Sequence, residues 1–200
     1  MTVIGLCGSS GSGKGYVCQL FTRRGLVWID TDRVYRDIIS SPNSPCVKEL
    51  AKCFGYSILN EDGSLNKREL SKIVFCSDDA ESSRKRLNGI AHRHILLETE
   101  RMMAESEKAG ANAVIIDAPV LFESGFDKMC DVKICVTAPY DKKLQRIITR
   151  DGITEAEARA RLDCQLSDDE LRERCDYEID NSGKEDVNFQ IDGIISALKL

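Results

Sequence analysis

No stretch of this 200-residue chain approaches the ~18 consecutive apolar residues that a membrane-spanning helix needs, so no membrane association is expected. The opening, Met1 to Cys7, is too short for a signal peptide and runs straight into a glycine-rich turn. The expected location is therefore the cytoplasm. There is no excess of positive charge: 28 Lys and Arg against 33 Asp and Glu leave a net charge of −5. Nucleic-acid-binding domains usually carry a basic stripe, and this balance speaks against a nucleic-acid partner. Nine cysteines are present, but no two stand in C-x-x-C spacing, which argues against a zinc ribbon or a thioredoxin-type site. They read as reduced thiols, mostly small core residues. Internal repeats and low-complexity segments are lacking too, which excludes a solenoid and a disordered linker.

What is there suits one compact domain with insertions. Thr2–Cys7, Ala113–Ala118 and Val132–Thr137 are short apolar runs, with weaker ones at Val27–Asp30 and Tyr177–Asp180. Near-continuous apolar runs, rather than alternation, fit a parallel sheet covered on both faces. Between them, Leu87, Ala91 and Ile95 recur at helical spacing, predicting a long helix from about Asp79 to Lys108 with Gly110 as its breaker. Thr154 with Glu157 and Ser167 with Glu170 read as capping boxes, and Asn66 with Glu69 offers a similar start. Strands alternating with helices mean an α/β fold with right-handed crossovers. About 80 residues separate the second strand from the third, too many for a loop, so a helical lobe is inserted there.

The first strand is followed by Gly8-Ser9-Ser10-Gly11-Ser12-Gly13-Lys14-Gly15. Seven of these eight positions satisfy the phosphate-loop pattern G-x-x-x-x-G-K-[ST]. Glycines let the backbone curl so that successive N–H groups face phosphate oxygens, and the helix that begins at Lys14 adds its positive end. Lys14 supplies a point charge between the β- and γ-phosphates. Gly8, Ser9, Gly11, Ser12, Gly13, Lys14, Gly15 and Tyr16 are the expected nucleotide contacts. The eighth position departs: Gly15 stands where a hydroxyl normally ligates Mg²⁺.

Ile29-Asp30-Thr31-Asp32 ends a strand with two carboxylates, and ligands of open parallel sheets bind beyond the carboxyl ends of strands. Asp32 could take the proton of a hydroxyl acceptor. Equally, Asp30 or Asp32 could simply cap the next helix. Asp117, ending the third strand, could hold a metal-bound water or serve as a strand-end turn residue. The metal expectation is thus Asp32 and Asp117, acting through water.

These residues, taken in order, resemble the dephospho-coenzyme A kinase family. The resemblance rests on the glycine loop, Ile29-Asp30-Thr31-Asp32, the run Asp62-Gly63-Ser64-Leu65-Asn66-Lys67-Arg68-Glu69-Leu70 with Phe75 beyond, and Leu87-Asn88 leading to His92. It continues through Asp117-Ala118-Pro119-Val120-Leu121-Phe122-Glu123, Arg150-Asp151-Gly152-Ile153-Thr154, Gln165-Leu166 and Ile179-Asp180-Asn181-Ser182-Gly183. The resemblance implies a three-layer P-loop NTPase-type fold with a five-stranded parallel sheet. It implies a core at about 1–31, 112–141 and 175–200, an acceptor-binding insert at about 32–111 and a lid at about 142–174. It implies transfer of phosphate from ATP, with Mg²⁺, to the ribose 3′-hydroxyl of dephospho-coenzyme A. Asp32 would be the base, acting with Lys14 and Arg150. Arg146 would come from the lid, Asn181 and Gly183 would lie near adenine, and Asp32, Arg68, Phe75, His92 and Asp117 would meet the acceptor. Arg159 and Arg161 read as a solvated helix face.

Three positions depart from the family pattern: Gly15, Arg93 in place of a proline, and Leu171 in place of a lysine whose charge Arg172 could supply. The alternatives are a P-loop kinase for another nucleoside or small metabolite, or a catalytically weak nucleotide-binding module.

Overall fold

The structure is a computed structural model that describes residues 1–76 and 79–200. The five apolar runs form one sheet: β1 (Thr2–Cys7), β2 (Val27–Asp30), β3 (Ala113–Asp117), β4 (Val132–Thr137) and β5 (Tyr177–Asp180). Their order is β2-β3-β1-β4-β5. β1 runs parallel to β3 on one side and to β4 on the other, and β4 runs parallel to β5. Every residue of β3 is buried, which is why its sequence shows no alternation. The helices are α1 (Lys14–Thr22), α2 (Thr31–Ser40), α3 (Pro45–Phe54), α4 (Lys67–Cys76), α5 (Ala80–Lys108), α6 (Tyr140–Asp151), α7 (Glu155–Asp163), α8 (Asp168–Arg174) and α9 (Val187–Leu198). Sheet and helices make a three-layer α/β fold. No helix among the described residues is long and apolar enough to cross a membrane.

The chain divides into two compact units, Met1–Ile29 with Glu105–Leu200, and Asp30–Ala104. In the first, α1 contributes Val17, Cys18, Leu20 and Phe21 to the core, and α9 contributes Val187, Ile191 and Ile194. They pack with Ile4, Leu6, Ile134, Val136 and Ile179 of the sheet. Each such side chain, fully buried, stabilises the fold by about 1.5–3 kcal/mol. A separate small cluster of Leu144, Ile147, Ala158 and Leu162 joins α6 to α7. Both expected capping boxes are present, Thr154 with Glu157 and Ser167 with Glu170, so α7 and α8 begin where the sequence places them.

The second unit has its own core, including Val47, Leu50, Ile58, Leu70 and Val74. Asn66 accepts from the Glu69 N–H at 3.2 Å, starting α4 as expected. Buried Ala91 and Ile95 mark the inner face of α5. Arg93 is compatible with an uninterrupted helix. A proline there would remove a helical hydrogen bond and clash with the preceding turn, whereas α5 continues without interruption for 29 residues. Arg93 and His94 instead both reach Glu49 of α3, His94 Nε2 lying 2.8 Å from Glu49 Oε2. The Arg93 hydrogen bond first, and His94 second, hold the Glu49 carboxyl below its ordinary range. Past the helix end, Gly110 turns the chain at φ +84°.

Of the eight cysteines whose side chains are described, Cys7, Cys18, Cys46 and Cys135 are buried, and all eight are free thiols. The ninth, Cys76, lies outside the described side chains. Burial pushes the Cys46 thiol up to about 11 and the Cys130 thiol up to about 12, so both are poor nucleophiles.

Candidate active site

β1 is the strand at which the sheet changes direction, with β3 on one flank and β4 on the other. A crevice opens beyond the carboxyl end of such a strand, and Gly8–Lys14 occupies it. Three glycines are obligatory there, the first being Gly8, where φ is +153° and a Cβ would lie 2.6 Å from the Val136 carbonyl oxygen. Gly11 has φ +76°, and a Cβ on it would lie 2.5 Å from the Lys143 carbonyl oxygen of α6. Gly13 has φ +100°, and a Cβ there would collide with the Asn181 side-chain amide. The loop is thus pressed against α6 and the residue after β5.

Side chains then fix its peptide planes. Arg146 Nη1 donates to the carbonyls of Gly11 at 2.9 Å and Ser12 at 3.2 Å. Asn181 Nδ2 donates to the Ser12 carbonyl at 2.8 Å. In a planar trans peptide the next N–H points the opposite way. Holding the Ser12 carbonyl therefore turns the Gly13 N–H away from Arg146 and Asn181. Lys14 Nζ donates back to the Gly8 carbonyl at 2.7 Å. Gly13 caps α1 without a side-chain hydrogen bond, so the first turn of that helix presents amides that no cap serves. Ser12 Oγ is wholly buried and has no hydrogen-bond partner among the described residues. A buried hydroxyl left in that state is costly unless a ligand completes it. Together these features form a cradle for an anion. Tyr16 stands 48% exposed one turn into α1, and a Cβ on Gly15 would meet nothing within 4 Å.

The two carboxylates after β2 separate cleanly. Asp30 is the cap of α2, its Oδ1 accepting from the Arg33 N–H at 3.0 Å. Asp32 lies in the first turn with its side chain exposed, and the cap does not account for it. Asp117 is buried at the end of β3, opposite Leu6 of β1, and its Oδ2 accepts from the Cys18 thiol at 3.7 Å. Among the described residues no group of three or more His, Cys, Asp and Glu side chains is arranged to hold a metal.

The arginines after β4 have different partners. Arg146 grips the loop. Arg150 is turned onto its neighbour, its Nε and Nη2 donating to Asp151 at 2.7 and 2.8 Å. Arg161, on the exposed face of α7, reaches the same carboxylate. Chiefly through the Arg150 hydrogen bond, the Asp151 carboxyl is held down at about 2. Arg172, expected to stand in for the charge of the missing lysine, is itself paired. It is bound to Glu178 at 2.8 Å and Asp169 at 2.6 Å, while Leu171 is buried. A cavity of about 700 Å³ lies beside the loop, bordered by Ser9, Lys143, Asp168, Arg172, Ser182 and Lys184. Gly183, exposed at φ +83°, follows at its rim.

The residues expected to meet the acceptor share no single environment. Arg68 and Phe75 are both exposed on α4, Phe75 to 60%. Seven residues apart, they lie on one helix face. His92 is half-buried on α5, where desolvation lowers its pKa and favours the neutral imidazole. Sequence reasoning missed Lys143, a buried cation inside a stretch that reads as a charged surface helix.

The profile of the dephospho-CoA kinase family matches residues 2–186. The dephospho-CoA kinase of Corynebacterium efficiens is 36% identical over 199 residues, covering 99% of this chain and 98% of its own. That of Syntrophotalea carbinolica is 37% identical over 199 residues, covering 99% of this chain and 92% of its own. The crystal structure of TT1252 from Thermus thermophilus superposes with a TM-score of 0.80 at 25% identity, covering 100% of this chain and 98% of that one.

Proposed function

The chain belongs to the dephospho-CoA kinase family, and from that premise we propose how it transfers the terminal phosphoryl group of ATP to the ribose 3′-hydroxyl of dephospho-CoA. The observation that carries the reading is the glycine loop, clamped in an anion-binding shape at the switch point of the sheet, within a family match that spans nearly the whole chain. Loop amides and Lys14 take the ATP phosphates, and Lys14 exchanges its bond to the Gly8 carbonyl for phosphate oxygen. Arg146 and Asn181 keep the loop in shape, with Asn181 and Gly183 bordering the base. Arg150 leaves Asp151 to meet charge on the transferring group, and the Asp151 carboxylate holds it until then.

Asp32 is the base. Phosphoryl transfer asks the protein mainly for position and charge, together with one acceptor for the hydroxyl proton. Because Asp30 performs the capping, Asp32 is not needed as the cap of α2. Arg68, Phe75 and His92 serve the acceptor, on the unit Asp30–Ala104. For Mg²⁺ the residues fit an ion carried mainly by nucleotide phosphates, which needs only one or two protein carboxylates. Asp117, buried at the end of β3, would hold it through water, Asp32 is the other candidate carboxylate, and Gly15 contributes no hydroxyl. When bound, the ion would neutralise negative charge on the phosphate chain.

The test is Asp32→Asn, with ATP affinity and dephospho-CoA-dependent turnover measured on the same variant. ATP affinity should survive while turnover falls on the order of 10²-fold or more. Near-normal turnover would remove Asp32 from the chemistry. A parent protein without dephospho-CoA-dependent turnover would overturn the acceptor assignment.

A further inference from the structure

A buried lysine needs a reason, because desolvating an ammonium is expensive unless its partners hold it well. The Lys143 side chain is 8% exposed. Its Nζ lies 2.8 Å from Asp168 Oδ1 and 3.1 Å from Ser9 Oγ. Ser9 Oγ in turn is 3.5 Å from the same Asp168 oxygen. The triangle joins three elements: Ser9 is the second residue of the phosphate loop, Lys143 sits on α6, and Asp168 opens α8. Next to it, the Ser10 N–H donates to Gln165 Oε1 at 2.8 Å, and Gln165 belongs to the connection between α7 and α8. The backbone of Lys143 is also the surface that Gly11 is pressed against. The hub thus touches the loop at Ser9 through its side chain and at Gly11 through its main chain.

We propose that Lys143 is a positioning residue for ATP: with Asp168 and Gln165 it straps the α7–α8 connection to the outer rim of the phosphate loop and so holds the loop amides in their phosphate-binding arrangement. The proposal rests on the nucleotide-binding reading of that loop. Arg146 and Asn181 fasten the carbonyls of Gly11 and Ser12, and the strap fastens the preceding residues, Ser9 and Ser10. Lys143 has no phosphate to bind in this scheme, since its ammonium is engaged by Ser9 and Asp168. The strap also explains why Gln165 stands where it does, a role the phosphate chemistry alone leaves open.

Removing one partner of a buried pair strands the other charge, whereas replacing both with apolar groups is often neutral for stability. This separates positioning from structure. Lys143→Met alone should lower the melting temperature and weaken ATP binding, measured by calorimetry without acceptor, by about tenfold, the scale expected when a binding constellation is displaced by a fraction of an ångström. Lys143→Met with Asp168→Leu should regain the melting temperature and still bind ATP about tenfold more weakly than the parent, with the KM for dephospho-CoA unchanged. Recovery of ATP affinity along with stability in the double variant would make the pair structural and overturn the proposal. If the double variant does not fold, Gln165→Leu decides. Weakened ATP binding supports the strap, and parental ATP binding overturns it. Because ATP affinity is read without acceptor, failure of the acceptor assignment would show separately, as absent turnover in the parent.

Discussion

In the phosphate loop the carbonyls of Gly8, Gly11 and Ser12 are held by Lys14, Arg146 and Asn181, and Gly8, Gly11 and Gly13, all at positive φ, are pressed against neighbours. On α4 the arrangement is the reverse. Arg68 and Phe75 project into solvent from a helix whose other face, through Leu70 and Val74, belongs to a core. The loop is fastened by the protein's own groups, so little ordering remains for binding to offset. The α4 side chains keep their rotamer freedom and must lose about 0.5–1.5 kcal/mol each when they are immobilised. The difference suits the two substrates under the proposed assignment of α4 to the acceptor. A triphosphate is one fixed pattern of charge, best met by fixed amides, whereas dephospho-CoA is a long flexible acceptor that adaptable side chains can follow.

The strongest way to break this comparison is at Lys14. Lys14→Met removes the loop's point charge and leaves the Gly8 carbonyl without its partner. If preorganised charge is what the loop supplies, kcat should fall on the order of 10²–10³-fold, the cost of deleting one such donor in other enzymes. Steady-state turnover at saturating ATP and acceptor reads it directly. A loss of only a few-fold would mean that the amides suffice and that the lysine is incidental.

A smaller effect should sharpen the other half. Arg68→Ala and Phe75→Ala each remove an exposed side chain, so stability should change by no more than about 0.5 kcal/mol. The KM for dephospho-CoA should rise about tenfold with each, by the loss of one charged or aromatic contact, while the KM for ATP stays put. A change confined to ATP, or a fall in melting temperature with no change in either KM, would take α4 out of acceptor binding. Phe75 is the more telling of the two, because its ring, 60% exposed, can be removed without disturbing a core.

The two regions also differ in how far sequence reveals them. The loop is legible because its backbone requirements are local. Positive φ at Gly11 and Gly13 demands glycine, and a strand before and a helix after demand the spacing. Capping boxes at Thr154 and Ser167 were readable for the same reason, since each is closed within four residues. Asp32 was ambiguous because capping and catalysis call for the same carboxylate two residues apart, and only the hydrogen bond of Asp30 assigns the cap. Lys143 was invisible. Its burial depends on Ser9, 134 residues away, and on Asp168, and no local pattern encodes that meeting. The insert's role came from resemblance to a family alone, since exposed side chains such as Arg68 leave no packing signature.

The smallest expected effect lies at Gly15, where the loop becomes a helix, and it is the finest test of how fixed the loop is. A Cβ at this position would meet nothing within 4 Å, and its φ is not among the positive ones, so neither space nor backbone demands glycine. Gly15→Ala should therefore raise stability by up to about 1 kcal/mol through helix propensity. For a chain of this size that is an increase of about 2–4 °C in melting temperature. Gly15→Ser should gain less, because serine is a poorer helix former. The serine adds what alanine lacks, a hydroxyl at the position that ligates Mg²⁺ in the general phosphate-loop pattern. The Mg²⁺ concentration for half-maximal turnover should then fall for Gly15→Ser and remain at the parental value for Gly15→Ala. Comparing the two variants separates helix stabilisation from metal ligation. If both variants leave the Mg²⁺ dependence alone, a water already fills that position as well as a hydroxyl could. If both lose activity, Gly15 serves the backbone in a way the open space around it does not reveal, and the loop is more tightly specified than its contacts indicate.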